Sequence, residues 1–167
     1  MINIVKANIN DLDIIFEIVN ENKKYFRRNN IPQWLDDYPN KEIFLDDLKY
    51  DGLFLIKDDN KIIGIFSQRD YEDTYDVIDG KWSSDNDYIV IHRMALKNDY
   101  KGKGIAKIVF DHIKKKHSYI RIDTHELNIP MNKCLIKNGF KYCGIIKLHD
   151  NSLRNAYDYL KIIVDEI

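Results

Sequence analysis

The residues of this chain best arranged for chemistry are Lys101-Gly102-Lys103-Gly104-Ile105-Ala106. They lie between an apolar run, residues 88–96, that reads as a strand and a stretch, residues 103–117, that reads as a helix. Two glycines at such a junction let the backbone turn tightly and approach a ligand with no Cβ in the way. The first helical turn then offers unpaired N–H groups at the positive end of its dipole, which suits a phosphate. Lys101, Lys103 and Lys107 add positive charge nearby. The combination points to a ligand bearing a pyrophosphate. His92, on the strand, titrates near neutrality by default and suits proton transfer, or else packs beneath a helix. Neither Cys134 and Cys143 nor the histidines have metal-ligand spacing, so no metal is expected.

Positioning these groups requires a sheet with helices on it. Residues 2–6 alternate as a first strand, and Asn10 is placed to cap a helix that carries Leu12, Ile15, Phe16 and Val19 on one face to about Phe26. A break at residues 31–35 precedes a short helix over 41–50, ended by Gly52. Residues 53–57 and 62–69 are strands joined by a polar turn. The connection over 70–87 is long for a passive loop and carries Tyr71, Tyr75 and Trp82. After the central strand and helix come a strand over 118–124 and a helix capped by Asn128 and ended by Gly139. Strands over 140–147 and 154–164 close the chain. The order β-α-α-β-β-β-α-β-α-β-β describes a mixed α/β sheet, not a doubly wound one.

At 167 residues the chain suits one domain, spanning 1–167. Its 26 basic and 27 acidic residues leave a net charge of −1, which argues against a broad nucleic-acid-binding surface. The amino-terminal residues lack the apolar core of a signal peptide, and no run reaches the roughly 18 apolar residues of a membrane span. A cytoplasmic protein with reduced thiols and no membrane contact is expected.

The glycine turn admits several pyrophosphate ligands. A Walker A loop would need GxxxxGK[ST], which is absent. A dinucleotide fingerprint would need a third glycine where Lys107 stands, and would open the chain instead of lying late in it. A second segment narrows the choice. The strand ending His92-Arg93-Met94-Ala95-Leu96, the turn Tyr100-Lys101-Gly102-Lys103-Gly104-Ile105-Ala106 and the later Asn128…Met131…Leu135…Gly139-Phe140 together resemble the GCN5-related N-acetyltransferases (GNAT) over nearly the full length.

That resemblance implies a mixed, mostly antiparallel sheet with a splayed central strand pair and helices on both faces. It implies acetyl-CoA as co-substrate, with its pantetheine arm along Met94, Ala95 and Leu96. Its pyrophosphate would lie on the turn from Lys101 and Gly102 through Lys103, Gly104 and Ile105 to Ala106, with Asn128 against the arm. The chain departs from the family at two places. Asp99 stands where Gln or Arg is frequent, and Leu135 stands where a tyrosine general acid is frequent.

Acetylation of an amine requires a neutral nucleophile, so a base must take the ammonium proton. Asp123, five residues before Asn128 on a strand where some relatives carry a glutamate, is the first choice, with His92 as an alternative base or relay. Asp123 could instead be an ion-paired carboxylate beside Arg121 or His125. Trp34, Tyr38, Tyr75 and Trp82 sit in segments that overlie the acceptor side in the resembled fold, where aromatic rings suit an amine. The bland reading of these rings is small satellite cores. The sequence thus predicts an N-acetyltransferase acting by direct attack in a ternary complex, on a small-molecule amine or a peptide N-terminus or lysine. The chain would be a monomer or homodimer. The rival readings are a non-catalytic coenzyme A-binding module and a nucleotide-binding domain.

Overall fold

Period-two alternation of apolar residues sets most of the strands, and helices form where that spacing lengthens to three and four. The computed structural model describes residues 1–162. In chain order the elements are β1 (Ile2–Lys6), α1 (Leu12–Arg28), α2 (Lys41–Lys49), β2 (Leu53–Asp58), β3 (Lys61–Arg69), β4 (Asp79–Gly80), β5 (Ile89–Leu96), α3 (Ile105–Lys116), β6 (Tyr119–Thr124), α4 (Ile129–Lys137), β7 (Lys141–Lys147) and β8 (Leu153–Leu160). The strands form one eight-stranded sheet in the order β1-β2-β3-β5-β6-β8-β7-β4. Every neighbouring pair is antiparallel except β5 with β6. The expected mixed sheet is therefore present, and the fold is a single-domain α/β arrangement.

Helices cover both faces. Leu53, Leu55 and Ile65 pack with Ile15, Ile18 and Val19 of α1 and Phe44 of α2. On the opposite face Ile56, Phe66 and, across a slip in the β2–β3 register, Ile63 pack with Val109, Phe110 and Ile113 of α3 and Leu135 of α4. The long connection after β3 covers the rest of the first face, where Tyr75 is buried with Val90, Ile146 and Ala156. Two buried polar groups tie that connection down. The Arg121 guanidinium lies 4.3 Å from the Trp82 ring and 4.1 Å from that of Tyr88. Asp158 accepts from the Ser83 amide and hydroxyl, both at 2.7 Å, and from the Tyr119 hydroxyl at 2.8 Å.

Several sequence expectations are refined. The cap before α1 is Asn8, which closes a reciprocal capping box with Asp11 around a 3-10 turn, so Asn10 is a donor to it and not the cap. The connection over 70–87 contains a short edge strand, β4, that composition did not suggest. The helix after the glycine turn starts at Ile105, because Gly104 is left-handed. The last strand ends at Leu160, and the expected positions 163 and 164 lie outside the described residues. Among the described residues no helix is long and apolar enough to cross a membrane.

Candidate active site

The site begins with a break in alternation. Ile89 and Ile91 of β5 face the α3–α4 core, and so do Met94 and Leu96, which is possible only if one residue is skipped. The register confirms it. Ser67 pairs with His92 but Ile65 pairs with Ala95, so two steps on β3 oppose three on β5. Arg93 absorbs the difference with a φ of 52°, a left-handed conformation that costs a non-glycine residue about 1–3 kcal/mol.

On its other side β5 pairs with β6 only at Ile89–Ile120 and Val90–Arg121. From Ile122 onward β6 pairs with β8 alone. The strands therefore part beside the bulge, and the β6-facing edge of Met94, Ala95 and Leu96 has no strand partner among the described residues. An amide-bearing arm is suited to such an edge. Ala95 points into the α1 core, and the Leu96 carbonyl accepts from Asn22 Nδ2 of α1 at 2.9 Å.

The turn before α3 has the conformation its glycines allow. Gly102 and Gly104 have φ values of 74° and 77°, and a Cβ built on either would meet nothing within 4 Å. The start of α3 has no side-chain cap and no acidic residue in its first turn. By contrast α2 and α4 are capped by Asn40 and Asn128. Left-handed glycines, open space and free amides fit a pyrophosphate. Of the lysines, Lys107 pairs with Asp111 and Lys103 lies 5.7 Å from the Tyr100 ring. Lys101 Nζ sits 3.8 Å from the Tyr25 ring and donates to Asn98 Oδ1 at 2.8 Å. Burial lowers the Lys101 ammonium to about 8, against the pull of Glu21.

A cavity of about 510 Å³ opens beside the bulge, and it brings together His92, Met94, Asp123, Asn128, Trp34 and Tyr38. Gly102, Gly104 and their neighbours in the turn lie outside its wall, as do Ala95 and Leu96. Asp123 accepts the Tyr75 hydroxyl at 2.6 Å. Burial pushes the Asp123 carboxyl up from its ordinary range, opposed by the charge of His92 and by the Tyr75 hydrogen bond. His92 Nε2 stands 3.3 Å from Glu72 Oε1. Burial would raise the Glu72 carboxyl as well, yet its hydrogen bond to His92 and the His92 charge hold it at about 2. Asn128 caps α4 through Oδ1 and donates Nδ2 to Gln33 Oε1 at 3.1 Å.

The aromatic wall is smaller than the sequence suggests. Trp34 lines the cavity but is mostly buried, edge-on to Phe26 at 5.4 Å. Tyr38 is exposed there, its hydroxyl accepting from Arg93 Nη1 at 3.2 Å. Tyr75 and Trp82 are corrected: neither lines the cavity. Tyr75 is buried beneath the connection and reaches the site only through its hydroxyl on Asp123, while Trp82 packs on Tyr75 and covers Arg121. With Arg121 so engaged, Asp123 has no ion pair to it.

Leu135 is fully buried in the core, and its hydrocarbon side chain has no hydroxyl to offer. The Cys134 thiol is pushed up by burial, against the hydrogen bond it receives from Asn138, and is a poor nucleophile. Sequence reasoning missed Glu72, Gln33, Arg93 and Arg154, all on the cavity wall, and Asp47 beneath it. Only Arg93 left a signal: two polar residues in succession, His92-Arg93, interrupt an apolar strand.

The chain matches the acetyltransferase (GNAT) family over residues 15–140. Among solved structures, a GNAT-family acetyltransferase from Streptococcus agalactiae is 30% identical with a TM-score of 0.90, over 97% of this chain and 96% of that one. A proposed acetyltransferase from Staphylococcus aureus is 27% identical with a TM-score of 0.67, over 94% and 97% of the two chains. An aminoglycoside acetyltransferase in complex with coenzyme A shares the fold, with a TM-score of 0.68 at 16% identity over 96% and 95%. No curated protein sequence matches the chain.

Proposed function

We infer that this chain, which belongs to the acetyltransferase (GNAT) family, transfers an acetyl group from acetyl-CoA to a primary amine by direct attack in a ternary complex. The observation that carries the reading is the parting of β5 from β6 at a bulge, directly beside a cavity holding Asp123, His92 and Glu72. The backbone of residues 94–96 would hold the pantetheine arm, the amides of residues 102–106 the pyrophosphate, and Asn128 the arm from the α4 side. When bound, acetyl-CoA supplies an activated acyl group on a thiol that leaves readily.

The chain's own groups prepare the nucleophile. An ammonium entering the cavity meets Asp123, whose raised basicity suits proton removal, and the His92–Glu72 pair, which offers a second acceptor. Once neutral, the amine nitrogen bonds to the acyl carbon as the carbon–sulfur bond breaks, and the second proton it sheds in becoming an amide passes to the His92–Glu72 pair or to water. The departing sulfur leaves as thiolate or takes its proton from water, since Leu135 has none to give. Carboxylates of Asp36, Asp37 and Asp150 also line the cavity and favour a cationic acceptor, a small amine or a peptide amino group.

Free-thiol release from acetyl-CoA across a library of amines and peptides tests the reading. Turnover with any of them supports it. The buried Leu135 favours one second reading, a coenzyme A-binding module without catalysis. That reading would be carried by tight coenzyme A binding with no thiol release from any acceptor. Thermal stabilisation by ATP or NAD but not by acetyl-CoA would instead sink the acetyltransferase assignment.

A further inference from the structure

Beneath the bulge lies a buried cluster of charge that none of the proposed chemical steps uses. Asp47, on α2, is fully buried. Its carboxylate accepts from Arg93 Nη2 at 2.7 Å and Nε at 3.1 Å, from Arg69 Nε at 3.0 Å and from the Ser67 hydroxyl at 2.6 Å. Arg93 Nε also reaches the Ser67 hydroxyl at 3.3 Å, and Arg93 Nη1 donates to the Tyr38 hydroxyl at 3.2 Å. Each member occupies a distinct part of the site. Ser67 lies where the β3–β5 register slips, Arg93 is the extra residue, and Tyr38 belongs to the loop on the acceptor side.

A strained backbone persists only where its surroundings over-determine it. A buried ion pair is a poor stabiliser compared with apolar side chains of the same volume, so stability alone does not account for this one. What the cluster does supply is direction. Arg93 stands between His92 and Met94, both on the cavity wall, and its forked guanidinium is held along one edge, through Nε and Nη2, by one carboxylate. The fork fixes the bulge, and its remaining nitrogen fixes Tyr38 relative to it.

We propose that Asp47 is a positioning residue for the transfer reaction: acting through Arg93, it holds the β5 bulge and Tyr38 in one fixed relation, so that the acyl-binding strand and the acceptor loop are aligned together. The inference rests on the acetyltransferase reading. It differs from a purely structural role in its consequences, because misalignment of reacting groups lowers turnover even in a fully folded enzyme.

The test is Asp47→Asn, which keeps the shape of the side chain and removes its charge, with Arg93→Lys as the companion that keeps charge but loses the fork. Coenzyme A is titrated into each while backbone amide signals are followed by NMR, and kcat is measured well below the melting temperature. In the wild type, coenzyme A is expected to shift the amides of both the 102–106 turn and residues 94–96. In Asp47→Asn the turn still responds, the shifts at residues 94–96 differ from those of the wild type, and kcat falls by about a hundredfold while coenzyme A affinity falls far less. Should Asp47→Asn give no cooperative melt, Arg93→Lys carries the same expectation. A variant that melts lower yet keeps wild-type kcat and wild-type shifts at residues 94–96 would overturn the proposal and leave the functional reading standing. A wild-type turn indifferent to coenzyme A would overturn both.

Discussion

Asp123 and Glu72 share one cavity, and their surroundings push their carboxyl groups in opposite directions. Burial raises Asp123 and makes it the more basic of the two, which is the property a proton acceptor needs. Asp123→Asn is expected to lower kcat by roughly 10²–10⁴-fold with acetyl-CoA affinity retained. The rise of kcat/KM with pH that reports this carboxyl should vanish from the variant's profile. Stability should move the other way. A carboxyl whose folded-state value is raised stabilises the fold only below its ordinary range and loses that contribution as pH rises through the folded value. Asp123→Asn therefore melts no lower than wild type near neutrality. Glu72 has the reverse sign. Its value falls from 4.5 to about 2, so its contribution is complete above 4.5 and disappears as pH falls toward 2. Melting curves of wild type and Glu72→Gln, compared across that window, should converge at its acid end. Of these residues Asp123 and His92 were legible in the sequence because strand alternation and a motif offset locate them. Glu72 was not, because it sits in an irregular connection whose path over the sheet no local pattern encodes. Asp47 was hidden differently. It follows Asp46 on an amphipathic helix, and periodicity alone does not tell which of two adjacent acids turns inward to meet an arginine from a distant strand.

At the scale of elements, the turn before α3 and the cap of α4 make separate predictions. Gly104→Glu puts a side chain on a left-handed residue, at a cost of about 1–2 kcal/mol. It clashes with nothing, because the space around that position is open. The variant should fold, and calorimetry should show acetyl-CoA binding abolished by the added bulk and negative charge. Asn128→Ala removes the cap on the Met131 amide and the hydrogen bond to Gln33, and should lower stability by about 1 kcal/mol. The turn and the cap were both readable from the chain, since glycine at a strand–helix junction and asparagine ahead of proline are local signals. The edge strand β4 was not. Two residues ending in Gly80 carry no alternation, and their pairing with Ile145 and Gly144 is decided by β7.

For the molecule as a whole, binding is linked to folding. If the native state alone takes acetyl-CoA, a ligand concentration of 100 Kd should add about 2.7 kcal/mol, seen as a melting temperature that climbs with ligand concentration. The architecture shows why the effect should be unevenly distributed. The strand order places β1, β2, β3 and β5 on one side and β6, β8, β7 and β4 on the other. Among the described residues, the strand pairing that joins the two halves is confined to Ile89–Ile120 and Val90–Arg121. An eight-stranded sheet is thus, mechanically, two four-stranded plates with a short seam. A ligand seated along residues 94–96 would lengthen that seam like a further strand, one made of cofactor instead of polypeptide. Pulled apart along its length, the free protein should yield at the seam before either plate unravels, and the loaded protein should hold to a higher force.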